Sequence, residues 1–280
     1  MISPWMVGFV VFTVGPILAS LVISLFDTNF MDRWDYAGLR WYRALIDDAL
    51  VHKALFNTAY YTLAVVPLST VLALSVAVML NQGIRAEGVW RTIYYLPSVT
   101  SGVAVALLWR WLYHPDIGLV NTLLRQLLGI TGPRWTADEL WAMPAIIVIA
   151  CWASGGAMLI FLAGLRGIPT VLYEAAEIDG AGAFRKFFVI TIPMLTPTIL
   201  FNVVVSIIGS WQVFTWAFIL TEGGPNNATL TLVLYIYRKG FQQFYFGYAA
   251  AVAWLLFAVV LAFVLLALRS ATRWVHYERV

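Results

Sequence analysis

Arg166-Gly-Ile-Pro-Thr-Val-Leu-Tyr-Glu-Ala-Ala-Glu-Ile-Asp-Gly-Ala-Gly-Ala-Phe-Arg-Lys-Phe-Phe-Val-Ile-Thr-Ile-Pro193 separates two long uncharged runs and reads as two short helices between membrane spans. Pro169 and Thr170 make a helix start, with Thr170 as the N-cap and Glu174 in the first turns, where a negative charge suits the helix dipole. Gly180 and Gly182 supply a turn, after which Ala183 to Val189 can wind again. Ala175 and Ala176 leave a low surface that another protein's groove can approach closely, flanked by charges that orient it. Pattern alone favours the plainer reading, an ordinary interfacial helix pair.

Outward from this loop, stretches free of Asp, Glu, Lys and Arg give six candidate spans: residues 2–26, 55–80, 92–109, 140–165, 195–220 and 246–268. Each is long enough for a helix to cross most or all of roughly 30 Å of hydrocarbon. The fifth is expected to start late, at about Leu195, because Pro193 and Pro197 punctuate an uncharged run that begins at Phe187. Pro16, Pro67 and Pro97 fall inside the first three spans and are expected to kink them, which membrane helices tolerate where neighbours satisfy the freed backbone groups. Six spans put both termini on one side. Eight cations sit in three short segments on that side: Arg85, Arg91, Arg166, Arg185, Lys186, Arg269, Arg273 and Arg279. Their density in short loops orients the termini toward the cytoplasm. Aromatic residues near span ends, such as Trp109, Trp111 and Trp141, read as a belt at the headgroups.

Composition supports this architecture. Of the 280 residues, 62% are hydrophobic and 11% charged, with a mean hydropathy of +0.84, whereas soluble domains carry about 25% charged residues. The expected fold is therefore all-α and polytopic, one transmembrane domain over residues 1–280 with a cytoplasmic loop at 166–193. The net charge of +3 is an orientation signal and not a nucleic-acid footprint. Cys151, the single cysteine, lies in an apolar stretch and reads as a small buried hydrophobe. The apolar run follows Met1 directly, without a basic lead or a cleavage site, so no removable signal peptide is expected.

Certain chemistries have no foothold. None of the three lysines, Lys53, Lys186 and Lys239, follows a glycine, so the chain has no G-x-x-x-x-G-K-[ST] phosphate loop. His52, His114 and His276 are scattered and lack metal-ligand spacing, and neither metal nor cofactor is expected. None of the six candidate spans carries an Asp, Glu, Lys, Arg or His in its middle, where ion-coupled carriers usually need one. Uphill transport would then draw its energy from a partner. The competing class is a self-sufficient secondary carrier or channel.

Glu174, Ala175, Ala176, Gly180, Ile190 and Pro193 fall at the positions of E-A-A-x3-G-x9-I-x-L-P, and the loop thereby resembles the EAA motif of type I ABC-importer permeases. Ile192 stands where that pattern has Leu, a volume-conserving change. The fuller form with Asp179 and Ala181 is similar to the carbohydrate and glycerol-phosphate uptake branch. So are Tyr95-Leu-Pro-Ser98 and Thr221-Glu-Gly-Gly-Pro-Asn-Asn-Ala-Thr229. The resemblance implies an inner-membrane permease that alternates between outward and inward openings. Implied partners are two ATP-binding cassette ATPases, a second and unlike permease, an extracytoplasmic solute-binding protein and a sugar substrate. It also implies that Glu174, Ala175, Ala176, Asp179 and Gly180 form a coupling helix docked on the ATPase, and that nucleotide hydrolysis belongs to other subunits.

Sugars present hydroxyls around apolar faces, so their sites pair aromatic platforms with amides and hydroxyls. The fifth span offers that combination in Asn202, Trp211, Gln212, Phe214 and Thr215. An amide facing lipid is costly, so Gln212 should meet either a cavity or a neighbouring helix, and both options stand at this point. Ser154-Gly155-Gly156-Ala157 in the fourth span is a small-residue patch best explained by close helix packing.

Overall fold

The computed structural model describes residues 2–276; Arg279, one of the cations used for orientation, lies outside the described residues. The elements are α1 (Ser3–Ile23), a hairpin of β1 (Phe26–Thr28) and β2 (Trp34–Tyr36), α2 (Arg40–Asp47), α3 (Ala49–Leu80), α4 (Glu87–Val99), α5 (Gly102–Leu112), α6 (Leu119–Leu128), α7 (Glu139–Trp152), α8 (Gly155–Arg166), α9 (Thr170–Ile178), α10 (Ala183–Trp211), α11 (Thr215–Thr221), α12 (Leu232–Tyr237) and α13 (Phe246–Ala271). Four single helices, α1, α3, α10 and α13, are long and apolar enough to cross a membrane. Two bent pairs, α4 with α5 and α7 with α8, bring the number to six when each pair is taken as one crossing.

The third span departs from a straight helix over 92–109. Its two halves meet at 98°, where Thr100 and Ser101 take extended ψ values of 143° and 125°. Pro97 precedes the break, and the hydroxyls of Ser98 and Thr100 donate to the carbonyls of Tyr95 and Leu96 at 2.7 and 2.8 Å. Two of the backbone acceptors freed beside the bend thus have side-chain donors within the chain. The bend lays α4 across the start of α8, where the Gly155 Cα faces the Tyr94 carbonyl so closely that a Cβ there would lie 2.1 Å from the oxygen. Close packing at the small-residue patch is what the structure shows.

The fifth span also differs from expectation. α10 starts at Ala183, not near Leu195, and runs unbroken past both prolines to Trp211. A wider turn at Phe187–Thr191, with the Ile192 N–H donating to the Phe187 carbonyl, makes room for the ring of Pro193. A matching turn at Val10–Val14 precedes Pro16 in α1. Beyond Trp211 the chain leaves the helix at Gln212–Phe214 and re-forms as α11, so residues 195–220 are not one span. α3 continues through Pro67 without ending.

Two apolar cores hold the bundle. The larger includes Val51, Tyr61 and Val65 of α3, Ile146 of α7, Trp211, Leu232 of α12 and Val252 of α13. The smaller joins Ala73, Ala77 and Leu80 of α3 to Phe161, Leu162 and Leu165 of α8, Ile168, and Leu195 of α10. α3 and α10 run through both. Burying a leucine-sized side chain contributes about 1.5–3 kcal/mol against water, and less against lipid, so packing rather than transfer holds these helices together.

Candidate coupling loop and substrate path

α9 begins one residue earlier than the capping pattern predicts. Pro169 occupies the cap position with no side-chain hydrogen bond, Thr170 is the first helical residue, and Glu174 lies a turn further in, beyond the first turn. The far end is built more tightly. Gly180 takes φ +74°, its N–H donates to the Glu177 carbonyl at 3.0 Å, and the Ala181 N–H donates to the Ala176 carbonyl at 2.8 Å. These two bonds close a Schellman motif, and only a residue at ease in the left-handed region fits there. Gly180→Val should cost about 1–2 kcal/mol from backbone strain alone, read as a lower melting temperature in detergent.

Charge and aromatic contacts fix the loop to the bundle. Lys186 Nζ lies 2.6 Å from Glu177 Oε1, tying the start of α10 back to α9. That bond, with the Lys186 charge, holds the Glu177 carboxyl below its ordinary value. Arg166 at the end of α8 pairs at 2.5 Å with Glu87 at the start of α4. The Tyr173 hydroxyl meets Thr191 Oγ1 at 2.9 Å, and its ring packs on the smaller core beside Ile190. A cleft of about 480 Å³ lies between this segment and the end of α3, bounded by Val78, Asn81 and Gln82 on one side and Tyr173 and Phe187 on the other.

Glu174, Ala175 and Asp179 are exposed and Ala176 half-buried, so the motif residues lie on or near the outer surface of the loop. Beside them Ile178 is 87% exposed and Phe184 83%. Large apolar side chains so open at the end of α9 and the first turn of α10 make a surface suited to a protein partner. Sequence reasoning missed Tyr173 and Lys186, which bind the loop to the spans. An aromatic one residue before the Glu was the available signal.

The substrate-path candidates divide. Trp211 is buried against Phe263, with ring centroids 5.2 Å apart, and buried Asn202 spends its amide on the Thr198 carbonyl at 3.0 Å. Gln212, Phe214 and Thr215 sit at the break after α10 and line a cavity of about 220 Å³ together with Tyr61, Gly102 and Trp216. The exposed Gln212 also borders a second, apolar recess formed by α12 and α13. The break is held open from behind, where the buried Thr231 hydroxyl donates to the Val213 carbonyl at 2.9 Å. Asn57 of α3 in turn donates to the carbonyls of Asn227 and Leu230 at 2.8 and 3.0 Å, and Thr58 accepts from the Leu232 N–H at 3.0 Å. The segment that follows the break is thereby locked to α3.

This arrangement of spans and loop has close counterparts among known proteins. The model of the binding-protein-dependent transport system inner membrane component matches residues 66–274. The chain belongs to this family. YesP of Bacillus subtilis strain 168, named as an ABC transporter permease, is 39% identical over 282 residues, covering 99% of this chain and 91% of its own length. The lactose transport system permease protein LacF of Rhizobium radiobacter is 39% identical over 257 residues, covering 89% and 85%. A bacterial alginate ABC transporter, solved with an alginate pentasaccharide-bound periplasmic protein, superposes with a TM-score of 0.85 at 25% identity, over 98% of this chain and 93% of its own. The permease is thus an all-α integral membrane protein of the ABC-importer kind, and the loop motif read from the sequence agrees with that membership.

Proposed function

We propose that this permease imports a sugar or related solute through the inner membrane, with both termini in the cytoplasm. In this reading it works with two ATP-binding cassette ATPases, a second, unlike permease and an extracytoplasmic solute-binding protein. The observation that supports it best is the position of α9. Its exposed face offers Glu174 and Ala175, with Ala176 beside them, while its inner face puts Tyr173 into the core shared by α3, α8 and α10. A push from a closing ATPase dimer would reach three spans through one side chain, without chemistry in this chain. Names of relatives such as LacF support a carbohydrate, and the aromatic and amide lining around Gln212 and Phe214 suits one.

In this mechanism Glu174 supplies a polar contact to the ATPase, Ala175 and Ala176 allow close approach, Gly180 sets the bend and Asp179 flanks it. Gln212, Phe214 and Thr215 contact the solute, and Asn202 and Trp211 set the helix that presents them. Joint replacement of Glu174 by Ala and Gly180 by Val, in the complete assembly reconstituted in proteoliposomes, should reduce solute-stimulated ATP hydrolysis and uptake at least tenfold, a loss of about 1.4 kcal/mol of coupling. Unchanged uptake would remove the coupling assignment. Uptake by vesicles containing only this chain would favour the self-sufficient carrier instead.

A further inference from the structure

Polar ties cross the Gly180 turn between α9 and α10 at three levels, each further from the turn than the last. The Schellman bonds lie at the turn itself, the Glu177–Lys186 ion pair comes next, and the hydroxyls of Tyr173 and Thr191, 2.9 Å apart, close the far end. The first two engage α10 before its wide turn at Phe187–Thr191. The third engages the last residue of that turn.

The wide turn is the compliant part of α10. It holds one residue more than an α-helical turn, and Pro193 just beyond it has no N–H to return to the ladder, so bending costs less there than in regular helix. A movement that entered α10 only through Ala183–Lys186 would be spent in bending this turn. A tie that spans the turn passes the movement on to Ile192–Trp211, the stretch that carries Leu195 into the smaller core. The hydroxyl pair has the geometry for this. Thr191 is 7% exposed, so its hydroxyl must find partners within the chain. It is directed at the Lys186 carbonyl, 3.5 Å away, and with its one proton there it accepts from Tyr173. The contact thereby links α9 to the side chain that closes the turn and to the backbone that opens it.

We propose that the Tyr173–Thr191 hydroxyl pair is the positioning contact that makes α9 and the part of α10 beyond the wide turn move as one body. The proposal rests on the reading of α9 as the helix that docks on the ATPase. Packing of the Tyr173 ring beside Ile190 keeps the residue in place, and its hydroxyl decides that α10 follows.

The test uses the full chain carrying Cys151→Ala, with nitroxide labels at Val171→Cys on α9 and Val205→Cys on α10, both exposed positions. Distances are measured by pulsed spin resonance in nanodiscs, for the chain alone and for the complete assembly with ATP and vanadate. In this background the distribution should be narrow, with one mean in both conditions. Tyr173→Phe and Thr191→Val, which keep side-chain volume and lose a hydroxyl, should each at least double its width. Their combination should be no broader than either alone, because two hydroxyls make one contact, and Thr191→Ser should restore the narrow distribution. The distance from Val205→Cys to Leu68→Cys, exposed on α3, should stay the same throughout, which separates loss of this contact from general loosening of the bundle. A narrow distribution in Tyr173→Phe, broadening in Thr191→Ser, or a mean that shifts between conditions in the background chain overturns the proposal. A single label at the exposed Ala175→Cys should lose mobility when the ATPases join the chain. If it does while Tyr173→Phe stays narrow, the hydroxyl pair is not the positioning contact and the docking reading stands; if it stays mobile, the docking reading fails and this proposal with it.

Discussion

Gly155→Ala should abolish stable folding or lower the melting temperature sharply, whereas Gly156→Ala next to it should be close to neutral. At position 155 the added methyl meets the backbone of α4 at two atoms, the Tyr94 oxygen at 2.1 Å and the Tyr95 Cα at 2.8 Å. Backbone cannot rotate aside as a side chain can. α4 would have to lift off α8, in a place where the 98° bend already fixes how α4 lies. Ordinary overpacking costs about 1–3 kcal/mol, and a clash with rigid backbone should reach or exceed the top of that range. At position 156 nothing lies within 4 Å of the built Cβ, so the change should stay within about 0.5 kcal/mol. Thermal unfolding in detergent of the two variants, side by side, separates a packing effect from a general intolerance of the helix start. Equal behaviour of the pair would show that the α4–α8 crossing is looser than described.

Asp48→Ala should be the second most damaging single change. This carboxylate caps α3 by accepting from the Leu50 N–H at 2.8 Å, and it also accepts the hydroxyls of Tyr235 and Tyr248, so one side chain ties α3 to α12 and α13. Loss of the cap costs about 1 kcal/mol, and two partly buried hydroxyls left without their acceptor add about 1–3 kcal/mol more. Asp48→Asn keeps an oxygen for the cap and should fall near the midpoint. The pH response follows from the same contacts. Partial burial pushes the Asp48 carboxyl up, but the two hydroxyls and the N–H groups of Leu50 and Val51 outweigh it, and the net result lies below the ordinary carboxylate value. The unfolded chain therefore takes up this proton at higher pH than the folded one. Stability from Asp48 is full above about pH 4 and fades as pH falls through the lowered folded value, with no change between about pH 5 and 8. In acid titrations of unfolding, wild type should lose stability below about pH 4 where Asp48→Asn is flatter. Parallel curves would mean that the two hydroxyls do not engage the carboxylate.

Much of the fold was legible because lipid imposes a simple rule. A run without charges, long enough to cross, must be helical: three of the six runs fall in single helices long enough to cross, two fall on the bent pairs α4–α5 and α7–α8, and the fifth continues past α10 into α11. The loop motif was legible because its glycine, alanines and proline mark backbone conformation directly. Prolines misled in both directions. Pro193 and Pro197 suggested a late start for the fifth span, yet a wider turn at Phe187–Thr191 absorbs the constraint. Pro97 suggested a kink and accompanies a near right angle, which depends on Thr100 and Ser101 as well. The break at Gln212–Phe214 had no local signal, because the group that completes it, Thr231, is 18 residues away. Thr170 failed as a cap because Pro169, with its fixed φ, already starts the helix.

α3 threads both cores, with Val51 and Tyr61 in the larger and Ala73, Ala77 and Leu80 in the smaller. Its 32 residues make a beam of about 48 Å, so a tilt of about 5° imposed at the loop end displaces the other end by about 4 Å. No relay of side chains is needed to carry such a movement. The beam is not uniform, since Pro67 cannot donate to the carbonyl four residues back and falls between the two sets of core residues. Flexure is least costly at that rung, which makes Pro67 the natural fulcrum where the lever divides into an arm gripped near α9 and an arm that carries Tyr61 to the cavity wall.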